Sequence, residues 1–427
     1  MEYKPELHKL SNGIPVLLDP MDLASASMAV NFESGSRDEE INEYGIMHFC
    51  EHMLGKGTKR FPSSRALVDY IQDNSGTCNA STSPSNMRVY GRILAEKFPV
   101  LIDFLADEIN NSLFDNNHIE IERDVILDEL KRSLDNRGRQ FDNFITGKIF
   151  AGSHMLEHNL GTQESLKSFS RDQLITYLKN HTSSKRTIIT VSGNFGDKEI
   201  LLKKLDEYFS YIPALDLPDN SGGIYHKSFG HNPWASQKQI LLTIALPSPF
   251  DYSWENRINN IKMTYVKRIL SVRLFESLRN KNGLVYDIGT GTFGDEKISA
   301  YSIDCQTSPE NLEKCVTLVA KICKEFITSQ PPTETELKRQ FAKCDLGDAD
   351  WLESPSDRMK SIISFYRDWG KLRDQNEDKI ITDMNHSLKA EDILWAAKQF
   401  FNGETPSIFT QGPEHNLDLQ KIWNDNF

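Results

Sequence analysis

Read from end to end, the chain spells one succession of elements twice. A stretch rich in Pro, Gly and short polar residues, "IPALDLPDNSGG" (Ile212–Gly223), falls near the middle of the 427 residues, and such composition marks a connection rather than an element. The half before it opens with a strand pair, "GIPVLLDP" and "SASMAVNFESGS". A helical stretch follows, then alternating strand sequence at "GTCNASTSPSNMRVYGRIL", the helix "KFPVLIDFLADEINN", and a closing strand "RTIITVSGNF". The half after it repeats that order: "KQILLTIAL", a long helix from Trp254 to Arg279, "GLVYDIGTGTF" with "KISAYSIDCQT", the helix "PENLEKCVTLVAKICKEF", and a late strand "PSIFTQG". Residue identity between the halves is slight. The expectation is an α+β fold of two duplicated units, each a mostly antiparallel sheet covered by helices. Residues 1–215 form the first unit, 216–223 the linker and 224–427 the second.

Composition narrows the function classes. A net charge of −12 argues against a nucleic-acid surface, which needs basic excess. No run of 18 apolar residues occurs, so no membrane span is expected. The N-terminus "MEYKPELHKLSNG" lacks the apolar core of a secretory signal. The six cysteines contain no C-x-x-C pair and read as single thiols in a reducing compartment, which points to the cytoplasm.

Two segments carry His-x-x-Glu-His: His48 to His52 in "EYGIMHFCEHMLGKGT" and His154 to His158 in "AGSHMLEHNLGT". On a helix, positions i and i+4 share a face, so two imidazoles can reach one zinc ion. The glutamate before the second histidine lies close enough to take a proton from a water on the metal. With 11 histidines in the chain the bare pattern is weak, and context must choose. Ile46, Met47, Phe49, Met53 and Leu54 give the first copy the apolar sides of a buried helix, with Cys50 facing the core, and Gly55 or Gly57 can end it. The second copy has little apolar flank and reads as a loop.

Hydrolytic zinc takes a third protein ligand. Downstream of the first copy, "HIEIERDVILDELKRSLDN" reads as a helix with Val125, Ile126, Leu130 and Leu134 as its buried stripe. Glu122 and Glu129 stand two turns apart on one face. Glu129, Asp128 and Glu122 all compete for the third place. Downstream of the second copy, residues 224–250 contain no Asp or Glu.

"MHFCEHMLGKGT" and "ERDVILDEL" resemble the inverted zinc motif and distal-glutamate helix of the pitrilysin-type metallopeptidases. The resemblance implies His48, His52 and Glu129 as ligands of one Zn2+ per chain, Glu51 as general base, and Glu122 as a support behind the ligands. It treats His154 and His158 as a decoy. "NASTS" resembles the family's edge strand on which substrate lies as an added strand, giving Asn79, Ala80 and Thr82. "LRNKNGLVY" resembles its arginine–tyrosine pair, with Tyr286 donating to the developing oxyanion and Arg279 holding a substrate carbonyl. Two departures stand out. Ser81 occupies a position that is usually aromatic in relatives, and "GTGTFGDE" is too short for the long glycine-rich loop of the non-catalytic processing-peptidase subunit.

The family places four such units around a closed chamber. A chain of two units therefore implies a homodimeric clamshell, the metal of one subunit facing Arg279 and Tyr286 of the other. The expected activity is a zinc endopeptidase cleaving short or unfolded peptides; the competing reading is a non-catalytic scaffold of the same fold.

Overall fold

The computed structural model describes residues 4–153, 159–220, 222–294 and 297–427, the side chains of 348–350 excepted. His154 and His158 lie outside the described residues. The described residues contain eleven strands: β1 (Glu6–Lys9), β2 (Pro15–Pro20), β3 (Ser25–Phe32), β4 (Thr77–Thr82), β5 (Met87–Leu94), β6 (Thr187–Gly193), β7 (Phe229–Pro233), β8 (Ile240–Pro247), β9 (Val285–Gly294), β10 (Ser299–Thr307) and β11 (Ser407–Gly412). They build two sheets, ordered β1-β2-β6-β3-β5-β4 and β7-β11-β8-β10-β9. Without β1, the first order is the second shifted along the chain. Each sheet has one parallel pair at the same place, β2 with β6 and β7 with β11, and antiparallel pairs elsewhere. The duplication is thus carried by topology rather than by residue identity.

Two compact units contain these sheets, and neither is contiguous in sequence. The first comprises Met1–Asp135, Glu157–Asn220 and Asp348–Lys379; the second comprises Asn136–Leu156, Ser221–Gly347 and Ile380–Phe427. A single division at 216–223 therefore describes most of each unit but misassigns one helix in each direction. Helix Pro355–Trp369, from the second half, belongs with the first sheet, and helix Arg137–Ile149, from the first half, belongs with the second.

Strand periodicity explains why each sheet needs such a helix. Successive side chains point to opposite faces, so Val16, Leu18, Met28, Val30, Ile189 and Val191 join the main core under helix Phe98–Asn111. Leu17 and Ile188 emerge on the other face and pack with Ile362 and Ile363. Asp19, on the same face as Leu17, is fully buried and takes a two-pronged hydrogen bond from Arg358, with Nε 2.7 Å from Oδ2. In the second unit, Phe141, Ile145 and Ile149 recur at i, i+4 and i+8 and cover Ala300 and Phe409. Arg137 ties that helix down, donating to the carbonyls of Gln239 (2.6 Å) and Gln411 (3.2 Å). No helix among the described residues is long and apolar enough to cross a membrane.

Candidate metal centre

Helix Ile46–Leu54 buries Ile46, Met47, Phe49, Cys50, Met53 and Leu54, leaving His48, Glu51 and His52 on the remaining face. Two features fix its start. Glu39, 1% exposed, accepts hydrogen bonds from the backbone N–H of Gly45 (2.7 Å) and Met47 (2.9 Å), satisfying donors that the first turn leaves unpaired. Burial nonetheless pushes the Glu39 carboxyl well up. Gly45 itself has φ +90°, and a Cβ there would come within 2.6 Å of Gly161. That close approach joins the metal helix to the "LGTQES" segment.

Helix Asn116–Asp135 supplies the carboxylates. Its buried positions are Ile119, Glu122 and Ile126, one stripe that continues to Glu129. The expected stripe was partly misplaced: Leu130 is only partly buried, and Val125 and Leu134 are 41% and 53% exposed. The reason is that the helix spends its inner face on two glutamates rather than on those apolar residues. Asp128 points outward, paired with Lys131 at 2.8 Å.

Glu129 Oε2 stands 3.9 Å from His48 Nε2 and 3.8 Å from His52 Nε2. Donor atoms of the three residues all lie within 4.8 Å of one another, and no other such group occurs among the described residues. Ligands of a tetrahedral zinc with bonds of ~2.1 Å sit ~3.4 Å apart, so the two Glu129 edges would need to close by about 0.5 Å to hold that ion. Behind it, His52 Nδ1 is 2.8 Å from Glu122 Oε2, and Lys56 Nζ is 2.8 Å from Oε1. Burial pushes the Glu122 carboxyl up, but these bonds from His52 and Lys56 outweigh it and hold it below the usual carboxylate range. A charged Glu122 fixes the proton of His52 on Nδ1 and turns the Nε2 lone pair toward the triangle.

Glu51 is half-buried, and burial pushes its carboxyl up. The hydroxyl and amide of Thr82 and the neighbouring His52 favour its charged form and partly offset this. Thr82 ends β4, an outer strand of the first sheet, which among the described residues pairs with β5 alone. Asn79 is exposed on that strand, its Oδ1 accepting from the Ala80 amide at 2.9 Å. At Ser81, the residue out of pattern, Oγ accepts from Arg88 Nε at 2.8 Å, and the Arg88 guanidinium lies 4.7 Å from the Tyr90 ring centre.

The second unit holds Arg279 and Tyr286 together. Arg279 belongs to a π-helical turn, Phe275–Lys281, that prolongs helix Arg257–Leu274. Its guanidinium donates to the Tyr286 carbonyl and lies 4.5 Å from the Tyr286 ring centre. Tyr286 is 83% exposed on β9, an outer strand of its sheet at the place β4 takes in the first. Arg279 therefore grips the tyrosine beside it. Glu39, Lys56 and the role of Gly161 escaped sequence reasoning. Lys56 and Gly161 stand in quoted motifs, but Glu39 carried no local signal.

Comparison with known proteins agrees with this geometry. Residues 18–163 match the family described as Insulinase (Peptidase family M16), and residues 168–343 match the Peptidase M16 inactive domain. An "Uncharacterized zinc protease" of Rickettsia felis is 27% identical over 94% of this chain and 96% of its own length. The "Uncharacterized zinc protease YmxG" of Bacillus subtilis is 28% identical over 95% and 98%. A crystal structure of a protease from Helicobacter pylori, 17% identical, superposes with a TM-score of 0.81 over 97% of this chain and all of that one. With the two sheets, the inverted histidine motif and the distal glutamate in place, the chain belongs to the M16 peptidases, the pitrilysin-type family.

Proposed function

We propose that the protein is a zinc-dependent endopeptidase acting on short or unfolded peptides. The observation that carries the reading is the convergence of His48, His52 and Glu129 on one triangle, with the Glu51 carboxyl next to His52 on the same helix and pushed up by burial. Zinc held there supplies Lewis-acid polarisation of a carbonyl and acidifies water near neutral pH. Glu51 takes the proton of the attacking water and delivers it to the leaving amine nitrogen; its upward shift suits a base that must also act as an acid. Glu122 keeps His52 in the ligating tautomer. The free edge of β4 takes an extended peptide by main-chain hydrogen bonds, so Asn79, Ala80 and Thr82 read backbone rather than side chains. Tyr286 donates its hydroxyl to the oxyanion, and Arg279 holds Tyr286 in place.

The assembly that suits this division of labour is a homodimeric clamshell, each metal served by the partner subunit's Tyr286. Six free thiols support a cytoplasmic setting. The deciding experiment measures zinc stoichiometry together with cleavage of an unstructured peptide library. One zinc per chain is expected in wild type and in Glu51→Gln, with cleavage reduced about 10²–10⁴-fold in the variant. Zinc without cleavage in wild type returns the scaffold reading. Mixing Glu51→Gln with Tyr286→Phe tests the shared site: subunit exchange should restore activity to mixed dimers, and proven exchange without recovery rejects it.

A further inference from the structure

The first unit contains a cavity of about 580 Å3 that no part of the peptidase reading uses, within the ~300–1,000 Å3 of small-molecule sites. Its walls are apolar, with Leu54, Ile109, Phe114, Ile175 and Leu178 among them, and its charged lining residues are Lys59, Arg171 and Lys179. None of its described lining residues is acidic, although the chain as a whole carries a net charge of −12. Lys59 and Lys179 are exposed and form no ion pair among the described residues. Arg171 approaches Asp172 at 3.9 Å. An apolar hollow ringed by one sign of charge, in a protein of the opposite sign, is complementary to a molecule with an apolar body and an anionic end.

The wall is also unusual in its backbone. Phe114, 4% exposed, adopts φ +49°, a conformation that bulky residues adopt rarely and that collects at ligand clamps and switches. Arg171 holds this turn by donating from Nε to the Phe114 carbonyl (2.8 Å) and from Nη2 to that of Leu113 (3.1 Å). The turn is tied to the metal helix as well. Ser112 Oγ donates to the Leu54 carbonyl at 2.9 Å, and the Leu113 amide to the Gly57 carbonyl at 3.0 Å. Helix Asn116–Asp135 starts immediately after it. The cavity thus abuts the end of one ligand-bearing helix and the beginning of the other.

We propose that this cavity is a binding site for a single-chain amphiphile with an anionic head, an alkyl carboxylate, its chain between Phe114, Ile175 and Leu178 and its carboxylate among Lys59, Arg171 and Lys179. The inference stands apart from the peptidase reading and is tested without any measurement of cleavage. Calorimetric titration of the full chain would compare decanoate, decyl maltoside and decyltrimethylammonium, each below its micelle concentration. Decanoate should bind at one equivalent per chain, about tenfold more tightly than either of the others. Reversing both lysines (Lys59→Glu with Lys179→Glu) should bring decanoate down to the level of the neutral chain. Ile175→Trp, which fills the hollow, should abolish binding while unfolding temperature and zinc content stay at wild-type values. Equal binding of the three chains, several equivalents per protein, or indifference to the lysine reversal overturns the proposal, as does binding that survives in a folded Ile175→Trp variant. Should Ile175→Trp fail to fold, the lysine reversal decides alone, because both side chains are exposed.

Discussion

The two units share a strand order and differ in what their helices do where they meet. In the first, the helix after β3 presents His48, Glu51 and His52, and the second helix after β5 presents Glu122 and Glu129. At the same topological places in the second, Arg257–Leu274 and Glu334–Leu352 meet through packing. The Tyr265 and Phe341 rings stand edge to face at 5.2 Å, the Tyr265 hydroxyl is 3.5 Å from Cys344 Sγ, and Arg268 donates to the same sulfur. One scaffold thus brings two histidines and a carboxylate together in one copy and carries a filled crossing in the other. The second unit instead exposes Tyr286 on β9, an edge strand of its sheet. Duplication preserves the frame and lets each copy specialise.

The largest test of the comparison concerns the exchanged helices. Arg358 and Asp19 are both buried, so Arg358→Ala leaves a carboxyl without its partner and should cost about 3–5 kcal/mol. Arg137 sits at its sheet less deeply and donates to neutral carbonyls, so Arg137→Ala should cost about 1–2 kcal/mol. Denaturant melts of both variants measure the difference; equal losses would mean that the two helices are held alike.

Next comes Tyr286. If the second unit contributes to chemistry, Tyr286→Phe should lower kcat about 10²-fold with zinc content unchanged. Tyr265→Phe, at the filled crossing, should leave kcat as it is. A smaller loss, 10–100-fold in zinc affinity, is expected for Glu122→Gln, read by competition with a chromophoric chelator. Cys344→Ala, on the corresponding helix of the second unit, should not alter zinc binding.

How much of this was legible beforehand depends on the range of each interaction. The metal helix was readable because its histidines lie one turn apart and its apolar flanks are local. The face shared by Glu122 and Glu129 followed from helical period, although choosing Glu129 over Asp128 required the resemblance. The repeated strand order was readable from turn residues and alternation. The exchanged helices were not, because an apolar stripe such as Phe141, Ile145 and Ile149 demands a partner surface without naming which sheet provides it. Val125 and Leu134 misled for a related reason: the pattern rewards apolar residues, and this helix turns a carboxylate inward. The Glu39 cap joins a side chain to amides six and eight residues on, a link that no periodicity encodes.

The smallest expected effect sharpens the contrast under the sheets. Helix Phe98–Asn111 buries Glu108, which receives a hydrogen bond from Cys78 Sγ of β4 at 3.4 Å. The corresponding helix of the second unit, Leu312–Ile327, buries no acidic residue. Burial pushes the Glu108 carboxyl up to about 7. Between its unfolded value of 4.5 and that raised value, the folded chain binds the proton that the unfolded chain has released. Rising pH across this window therefore costs stability. Glu108→Gln cannot titrate, so its stability relative to wild type should increase from pH 5 to pH 8. The expected increase is on the order of 1 kcal/mol once relaxation around a buried charge is allowed for. Thermal melts of the two proteins at matched ionic strength would show it. A difference that does not change with pH would place a charged, well-solvated carboxylate under β4 and remove this distinction between the units.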